Sequence, residues 1–260
     1  MEILFVSLER VEGAQPYDGL LDAMKAAKAR SGCRVWCIAD HPVKCENFIR
    51  YDSCYNLGNS VMQRTDPGVR KQWATPALLR TFAGFEFAKS RNDLEWPVFP
   101  LDHDILVFSD LREVYKPLLK FDFCAPVYGA GTTGAYSIHS LDVWEACVNR
   151  TLELVGNKAI LNDMVSWAEM YQSGKWKIGN LLKEPVEGAF DMNMHLSENR
   201  YVMEASTVPM WGKLTKKITW VGGHPYFHQV LDNELIRAHW IHCWGSYKFR
   251  TKELIEKAGL

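Results

Sequence analysis

In the first 110 residues, apolar runs of strand length alternate with segments in which apolar residues recur at helical spacing. Runs of strand length occupy Ile3 to Leu8 and Arg34 to Ala39. Between them, from about Asp18, apolar residues recur at helical spacing until Gly32 ends the pattern. A longer helical pattern covers about Gln72 to Ser90. This order predicts an α/β fold that begins with a strand, a helix and a second strand.

The second half continues the alternation and then changes character. A strand pattern at Phe121 to Val127 precedes a glycine-rich turn at Gly129 to Gly134 and a helix at Leu141 to Val155. A shorter helix is predicted from about Asn162 and Asp163. The last 60 residues show few clear repeats of either the strand or the helix period, which predicts loops and short strands along one side of the core. Because no internal repeat or low-complexity linker divides the chain, we predict a single domain over residues 1–260.

Two carboxylates interrupt the most apolar segment of the chain. Trp96 to Leu101 and Ile105 to Phe108 have the pattern of buried strands, and Asp102, His103 and Asp104 lie between them. Burying two unpaired anions is unfavourable, whereas carboxylates one residue apart at a strand end can share a magnesium or manganese ion. In a strand, His103 would point away from both aspartates, which predicts a structural role for it. Surface turns, calcium loops and phosphatases also carry this spacing, so the pair alone leaves the function open.

Composition and charge narrow the classes of function. The 260 residues are 47% hydrophobic and 23% charged, with a formal net charge of -1. This balance gives no electrostatic attraction to anionic membranes and makes a nucleic-acid acceptor an unfavoured alternative. Seven scattered cysteines, an odd number, favour a reducing, cytoplasmic setting over a disulfide framework. No run approaches the roughly 20 apolar residues of a membrane span, so no integral membrane segment is predicted.

Two motifs carry a resemblance to a known family. The segment from Leu101 to Leu111, LDHDILVFSDL, resembles the LDxDxxVxxDL signature of GT-A glycosyltransferases, especially the glycogenin and galactosyltransferase-like retaining family. The segment from His242 to Lys248, HCWGSYK, resembles the HxxGxxK element of the same family. The resemblance implies a Rossmann-like GT-A fold, with a mixed central sheet flanked by helices. It also implies a nucleotide-binding half at about 1–110 and a donor-sugar and acceptor half at about 111–260.

The same resemblance implies roles for the motif residues. In that family the two aspartates and the histidine hold Mn²⁺ or Mg²⁺, which makes Asp102, Asp104 and His242 the expected metal ligands. The glycine backbone and the lysine hold the diphosphate, which implies donor binding by Gly245 and Lys248. Asp102 is expected to contribute to donor binding as well. Lys248 is also a catalytic candidate, because it would stabilise charge on the leaving phosphate.

Three weaker matches extend the candidate site. Arg80 lies in the helix before the aspartates, where such enzymes place a basic residue near the sugar or diphosphate; a surface salt bridge is the alternative. Thr133 and Gly134 resemble the family's NSG turn, which lines the donor-sugar pocket. Asp163 resembles an acidic residue that contacts the donor sugar or the acceptor, which makes it a second catalytic candidate.

The implied function is transfer of a sugar from a nucleotide-diphosphate donor, with a UDP-sugar favoured, to a glycan or another hydroxyl acceptor. The family resemblance implies a hexosyltransferase-like enzyme acting with retention. An inverting enzyme would need a carboxylate base, for which Asp163, Asp191 and Asp232 are the candidates. One alternative is a magnesium-dependent phosphohydrolase that uses the pair Asp102 and Asp104, with the first as nucleophile. Another is a non-catalytic module that binds sugar nucleotides or glycans.

Overall fold

The computed structural model describes residues 1–8, 19–51, 74–128, 131–132, 135–156, 163–184, 186–206, 214–243, 248 and 250–260. Its helices are α1 (Leu20–Arg30), α2 (Ala74–Lys89), α3 (Leu111–Val114), α4 (Leu141–Gly156), α5 (Asp163–Ser173) and α6 (Thr251–Lys257). Its strands are β1 (Glu2–Ser7), β2 (Arg34–Ala39), β3 (Phe48–Arg50), β4 (Val98–Leu101), β5 (Ile105–Val107), β6 (Phe123–Ala125), β7 (Val127–Tyr128), β8 (Gly131–Thr132), β9 (Ser137–Ile138), β10 (Ile178–Asn180), β11 (Ala189–Phe190), β12 (Met203–Ala205), β13 (Leu214–Lys216), β14 (Ile218–Val221), β15 (His224–His228) and β16 (Leu235–His242).

The larger sheet has seven strands in the order β10-β6-β9-β4-β1-β2-β3. Neighbours are parallel except around β9, which runs antiparallel to both β4 and β6. On β1, Ile3 and Phe5 pack with α1, whereas Leu4 and Val6 pack on the opposite face with α2, α4 and α5. Because both faces are covered, the strand is a continuous apolar run. The prediction of an α/β fold with a mixed central sheet flanked by helices is confirmed.

A smaller sheet has the order β11-β16-β15-β14, with β5 paired antiparallel to β16. The chain therefore leaves the larger sheet at β4 and enters the smaller one at β5. The residues between them, Asp102 to Asp104, form a turn. The assumption that His103 continues a strand is wrong. Its side chain is half-buried, and burial lowers the pKa of His103 to about 4, so the ring is neutral at pH 7.

In the last 60 residues the strands β12 to β15 are short, as predicted, whereas β16 departs from the prediction. β16 is eight residues long, the longest strand in the part of the chain described. Arg237 and His239 interrupt its apolar pattern, but both are accommodated by polar contacts. His239 Nδ1 lies 2.9 Å from Ser109 Oγ, and its Nε2 lies 2.5 Å from the Glu187 carbonyl oxygen. Polar residues typical of a loop are therefore held inside a strand by hydrogen bonds.

None of the helices within the described ranges combines the length and the apolar character needed to cross a bilayer.

Candidate metal centre

The two aspartates lie at the carboxyl end of β4, next to the parallel strand β1. Ligands of α/β sheets bind at this edge, where the strands end and the loops begin. Asp102 follows directly after β4, and its side chain is 25% exposed. Asp104 precedes β5 and is buried. One carboxylate thus faces partly outward and the other lies inside the protein.

The register of the smaller sheet brings His242 to these aspartates. β16 runs antiparallel to β5, and His242 pairs with Ile105, the residue after Asp104. The backbone N–H of Cys243 donates a 2.8 Å hydrogen bond to the Asp104 carbonyl oxygen, which extends the pairing by one step. A slip of one residue would move the imidazole to the other face of the sheet. The hydrogen-bond ladder therefore sets the position of His242.

The three side chains converge on one point. His242 Nε2 lies 3.4 Å from Asp104 Oδ1 and 3.9 Å from Asp102 Oδ2. One ligand atom from each residue lies within 4.8 Å of the other two. On an octahedral ion with bonds of about 2.1 Å, neighbouring ligand atoms are about 3 Å apart and opposite ones about 4 Å. The observed spacing suits a single divalent cation.

The hydrogen bonding of the imidazole leaves one nitrogen available for a cation. His242 Nδ1 lies 2.8 Å from the Met192 carbonyl oxygen, which can only accept, so Nδ1 carries the proton of the neutral ring. Nε2 then presents a lone pair. Both His242 Nε2 and Asp104 Oδ1 are buried and lack a hydrogen-bond partner among the described residues. A divalent cation between them would satisfy both atoms. A histidine that ligates a metal usually donates its other ring N–H to a carbonyl or carboxylate, as His242 does to Met192.

Two cationic side chains complete the centre. Arg80 is 8% exposed and forms an ion pair with Asp102, so it does make a salt bridge, but a largely buried one at the candidate centre rather than one at the surface. Lys248 Nζ lies 3.2 Å from Asp104 Oδ2. Burial opposes the charge on Asp104, but the neighbouring ammonium of Lys248 favours it, and the pKa of that carboxyl lies well below its usual range. The carboxylate is therefore ionised and can act as a ligand.

The remaining predicted site residues are placed only in part. Thr133, Gly134 and Gly245 lie outside the described residues. Asp163 is the first residue of α5, but its side chain also lies outside the described part. Their proposed contacts with the donor or acceptor stay predictions.

Two of the three candidate bases for an inverting reaction are excluded by position. Asp191 is fully buried and takes part in an ion pair with Lys216. Asp232 is exposed and precedes β16, whereas His242 ends that strand. Eight residues of strand span about 23 Å between their ends. Asp191 therefore cannot reach a substrate, and Asp232 lies far from the metal centre.

A buried charged group behind His242 was not predicted from the sequence. It consists of Asp191, Glu198 and Lys216, which we call the buried triad. Lys216 Nζ contacts Asp191 Oδ1 and lies 2.6 Å from Glu198 Oε1. Burial, together with the charge of Asp191, raises the pKa of Glu198 to about 7. No motif or periodicity joins these three positions, so only the folded structure reveals their contact.

Comparisons with known proteins give only distant likenesses. No family model and no curated protein matches the chain. Among solved structures, the galactosyltransferase LgtC in complex with donor and acceptor sugar analogs is similar, with a TM-score of 0.44 and 13% identity over 69% of this chain and 72% of that one. The glycosyltransferase GlyE from Streptococcus pneumoniae TIGR4 has a TM-score of 0.40 and 14% identity, over 68% of this chain and 44% of that one. The functional conclusion is therefore drawn from the metal centre itself.

Proposed function

We propose that this chain is a metal-dependent GT-A glycosyltransferase that moves a sugar from a nucleotide-diphosphate donor, with UDP favoured, to a glycan or other hydroxyl acceptor. The observation that carries the proposal is the convergence of Asp102, Asp104 and His242 at the carboxyl end of the sheet, with Lys248 beside them. Transfer of a hexose with retention is the specific form we propose. The halves at about 1–110 and 111–260 would bind the nucleotide and the sugar with its acceptor.

The charge of the centre favours a diphosphate together with a cation. Asp102 and Asp104 carry two negative charges, which Arg80 and Lys248 balance through ion pairs. A divalent cation would leave the centre with an excess of two positive charges. A diphosphate offsets this excess, so each of the two ligands makes the other more favourable. Such a centre suits a nucleotide sugar better than a neutral glycan alone.

The side chains have separate tasks in the proposed reaction. When bound, Mn²⁺ or Mg²⁺ supplies Lewis-acid stabilisation of the leaving diphosphate. Lys248 can donate hydrogen bonds to the same phosphate oxygens, where negative charge grows as the sugar departs. Arg80 holds Asp102 in place and offsets its charge. With retention, the leaving phosphate itself can accept the acceptor's proton, so no protein base is required.

The other assigned residues belong to the proposal through their motifs. We propose that the backbone at Gly245 contacts the diphosphate and that Thr133 and Gly134 line the donor-sugar pocket. Asp163 would contact the donor sugar or the acceptor. We also propose a cytoplasmic location, which suits the free thiols of the described cysteines.

A phosphohydrolase would need one carboxylate free to attack phosphorus. Asp102 is paired with Arg80, and Asp104 is buried between His242 and Lys248. Neither carboxylate is arranged as an uncommitted nucleophile. The two functions also differ in product, since a phosphohydrolase releases orthophosphate and a glycosyltransferase releases an intact nucleoside diphosphate.

Metal-dependent release of nucleoside diphosphate tests this function. The protein is incubated with UDP-sugars and GDP-sugars, with Mn²⁺, Mg²⁺ or a chelator, and the products are separated by chromatography. We expect slow release of UDP from at least one UDP-sugar with Mn²⁺ or Mg²⁺, because water can replace the acceptor. The chelator should abolish it. Release that persists with chelator, or orthophosphate as the main product, would rule out the proposed transfer.

A further inference from the structure

The buried triad places three charged side chains where charges are costly. Asp191 and Lys216 are fully buried, and Glu198 is 7% exposed. Lys216 Nζ also lies 4.7 Å from the ring centre of Tyr201 and 5.3 Å from that of Phe227. A buried ion group of this kind often contributes no more stability than apolar residues of the same volume would. Its contacts with β16 indicate a task beyond stability.

Asp191 is bonded to the end of β16 through its side chain and its backbone. Its Oδ2 accepts a 2.9 Å hydrogen bond from the backbone N–H of His242. Its carbonyl oxygen accepts a 2.8 Å bond from Trp240 Nε1. The next carbonyl, that of Met192, accepts the bond from His242 Nδ1. Two consecutive residues therefore fix both the backbone and the ring of His242.

Lys216 and the Asn193 backbone together set which way the Asp191 carboxylate faces. Lys216 Nζ contacts Oδ1, which also accepts a 3.1 Å hydrogen bond from the Asn193 N–H, and Oδ2 is left directed at His242. The backbone repeats this connection, since Lys216 N–H donates to the Met194 carbonyl at 2.9 Å and Met194 N–H donates to the His242 carbonyl at 3.4 Å. The segment 191–194 is thereby held between β13 and β16. Asp191 can accept from Lys216 on one side and from the His242 N–H on the other only while it keeps two acceptor oxygens.

We infer that Asp191 is a positioning residue of the metal centre. Held by Lys216, it fixes the end of β16 and the Met192 carbonyl, so that His242 Nε2 faces the two aspartates before any ligand binds. Asp191 itself contacts neither cation nor substrate. This inference rests on the proposed function, because it assigns Asp191 a role in building the same cation site.

The test is Mn²⁺ binding to Asp191→Asn, measured by calorimetry with saturating UDP. An asparagine keeps the shape but has one acceptor oxygen, so it can satisfy either Lys216 or the His242 N–H and not both. We expect Mn²⁺ affinity to fall about 10- to 100-fold, the usual effect of mutating a residue that holds a metal ligand in place by hydrogen bonds. Circular dichroism and thermal unfolding without metal verify that the variant is folded.

Glu198→Gln is the matched control. It changes the same buried triad and the same partner, Lys216, but Glu198 makes no contact with His242 among the interactions described. We expect Glu198→Gln to bind Mn²⁺ with an affinity within about 2-fold of wild type, because Glu198 has no described bond to β16 through which its loss could move His242. An equal loss in both variants would show general loosening of the triad and overturn the positioning role.

The outcomes separate the inference from the proposed function. If the wild-type protein does not bind Mn²⁺ with UDP, the proposed function fails and the inference fails with it. If the wild type binds and Asp191→Asn binds equally well, only the inference fails. Should Asp191→Asn not fold, ¹⁵N NMR of the histidine rings in metal-free wild type at pH 8 decides. A proton on Nδ1 of His242 supports the inference, and a proton on Nε2 contradicts it.

Discussion

Asp104→Asn is expected to lower the affinity for Mn²⁺ in the presence of UDP by at least about 100-fold. Mutating a residue that only supports a metal ligand costs up to about 100-fold in metal affinity, and here the proposed ligand itself is replaced. Asp104 is buried with Oδ1 facing His242 and Oδ2 facing Lys248. Asparagine removes the negative charge and leaves Arg80 and Lys248 in excess, which repels a cation. Calorimetric titration of Mn²⁺ with UDP present measures the loss, and UDP release from the donor should fall with it.

Asp110→Asn is the control for that substitution. Asp110 belongs to the same sequence motif but is exposed, and its Oδ1 caps α3 by accepting a 2.9 Å bond from the Arg112 N–H. Asparagine is an equally good N-cap, so stability should change little. Mn²⁺ affinity should stay within about 2-fold of wild type, because surface changes away from a site are usually small. Wild-type Mn²⁺ affinity in Asp104→Asn would contradict the proposed ligand.

Lys216→Met is expected to lower the free energy of unfolding by about 3–5 kcal/mol, the usual cost of removing one partner from a buried ion pair. Asp191 and Glu198 would remain buried without their cation. The loss should be smaller at pH 5 than at pH 8. The pKa of Glu198 is already raised to about 7 in the folded protein, so a lower pH supplies the proton that makes its burial less unfavourable. Urea denaturation at the two pH values measures this effect.

Lys217→Met is the matched control for Lys216→Met. Lys217 is the next residue, half-buried, and forms no side-chain ion pair among the described residues. Its replacement should change the free energy of unfolding by no more than about 0.5 kcal/mol. Equal losses in the two variants would show that the cost comes from altering this segment rather than from leaving the two buried carboxylates unpaired.

The central part of the fold could be predicted from sequence because its apolar residues follow the strand or the helix spacing without interruption. β2 occupies the predicted residues, Arg34 to Ala39, and α4 begins at the predicted Leu141. β16 was missed because Arg237 and His239 obscure its alternation, and only tertiary hydrogen bonds make those residues compatible with a strand. Local pattern therefore predicts apolar elements well and fails where polar side chains are buried with partners.

The same distinction applies to the candidate site: residues in short motifs could be predicted, and residues that depend on tertiary contacts could not. The aspartates and His242 could be selected because each stands in a short motif, and the structure brings them together. The turn that changes the surroundings of His103 depends on the passage from one sheet to the other, which no local pattern shows. The buried triad depends on contacts between distant segments. Residues that support a ligand, unlike the ligands themselves, carried no signal in this sequence.

Coordination of one cation by His242 together with the two aspartates is tested most directly by pulsed electron paramagnetic resonance of Mn²⁺ bound with UDP. The expected result is hyperfine coupling to one imidazole nitrogen in wild type and none in His242→Gln at Mn²⁺ concentrations high enough to fill its weakened site. A wild-type complex without coupled nitrogen, or coupling that persists in His242→Gln, would contradict this coordination.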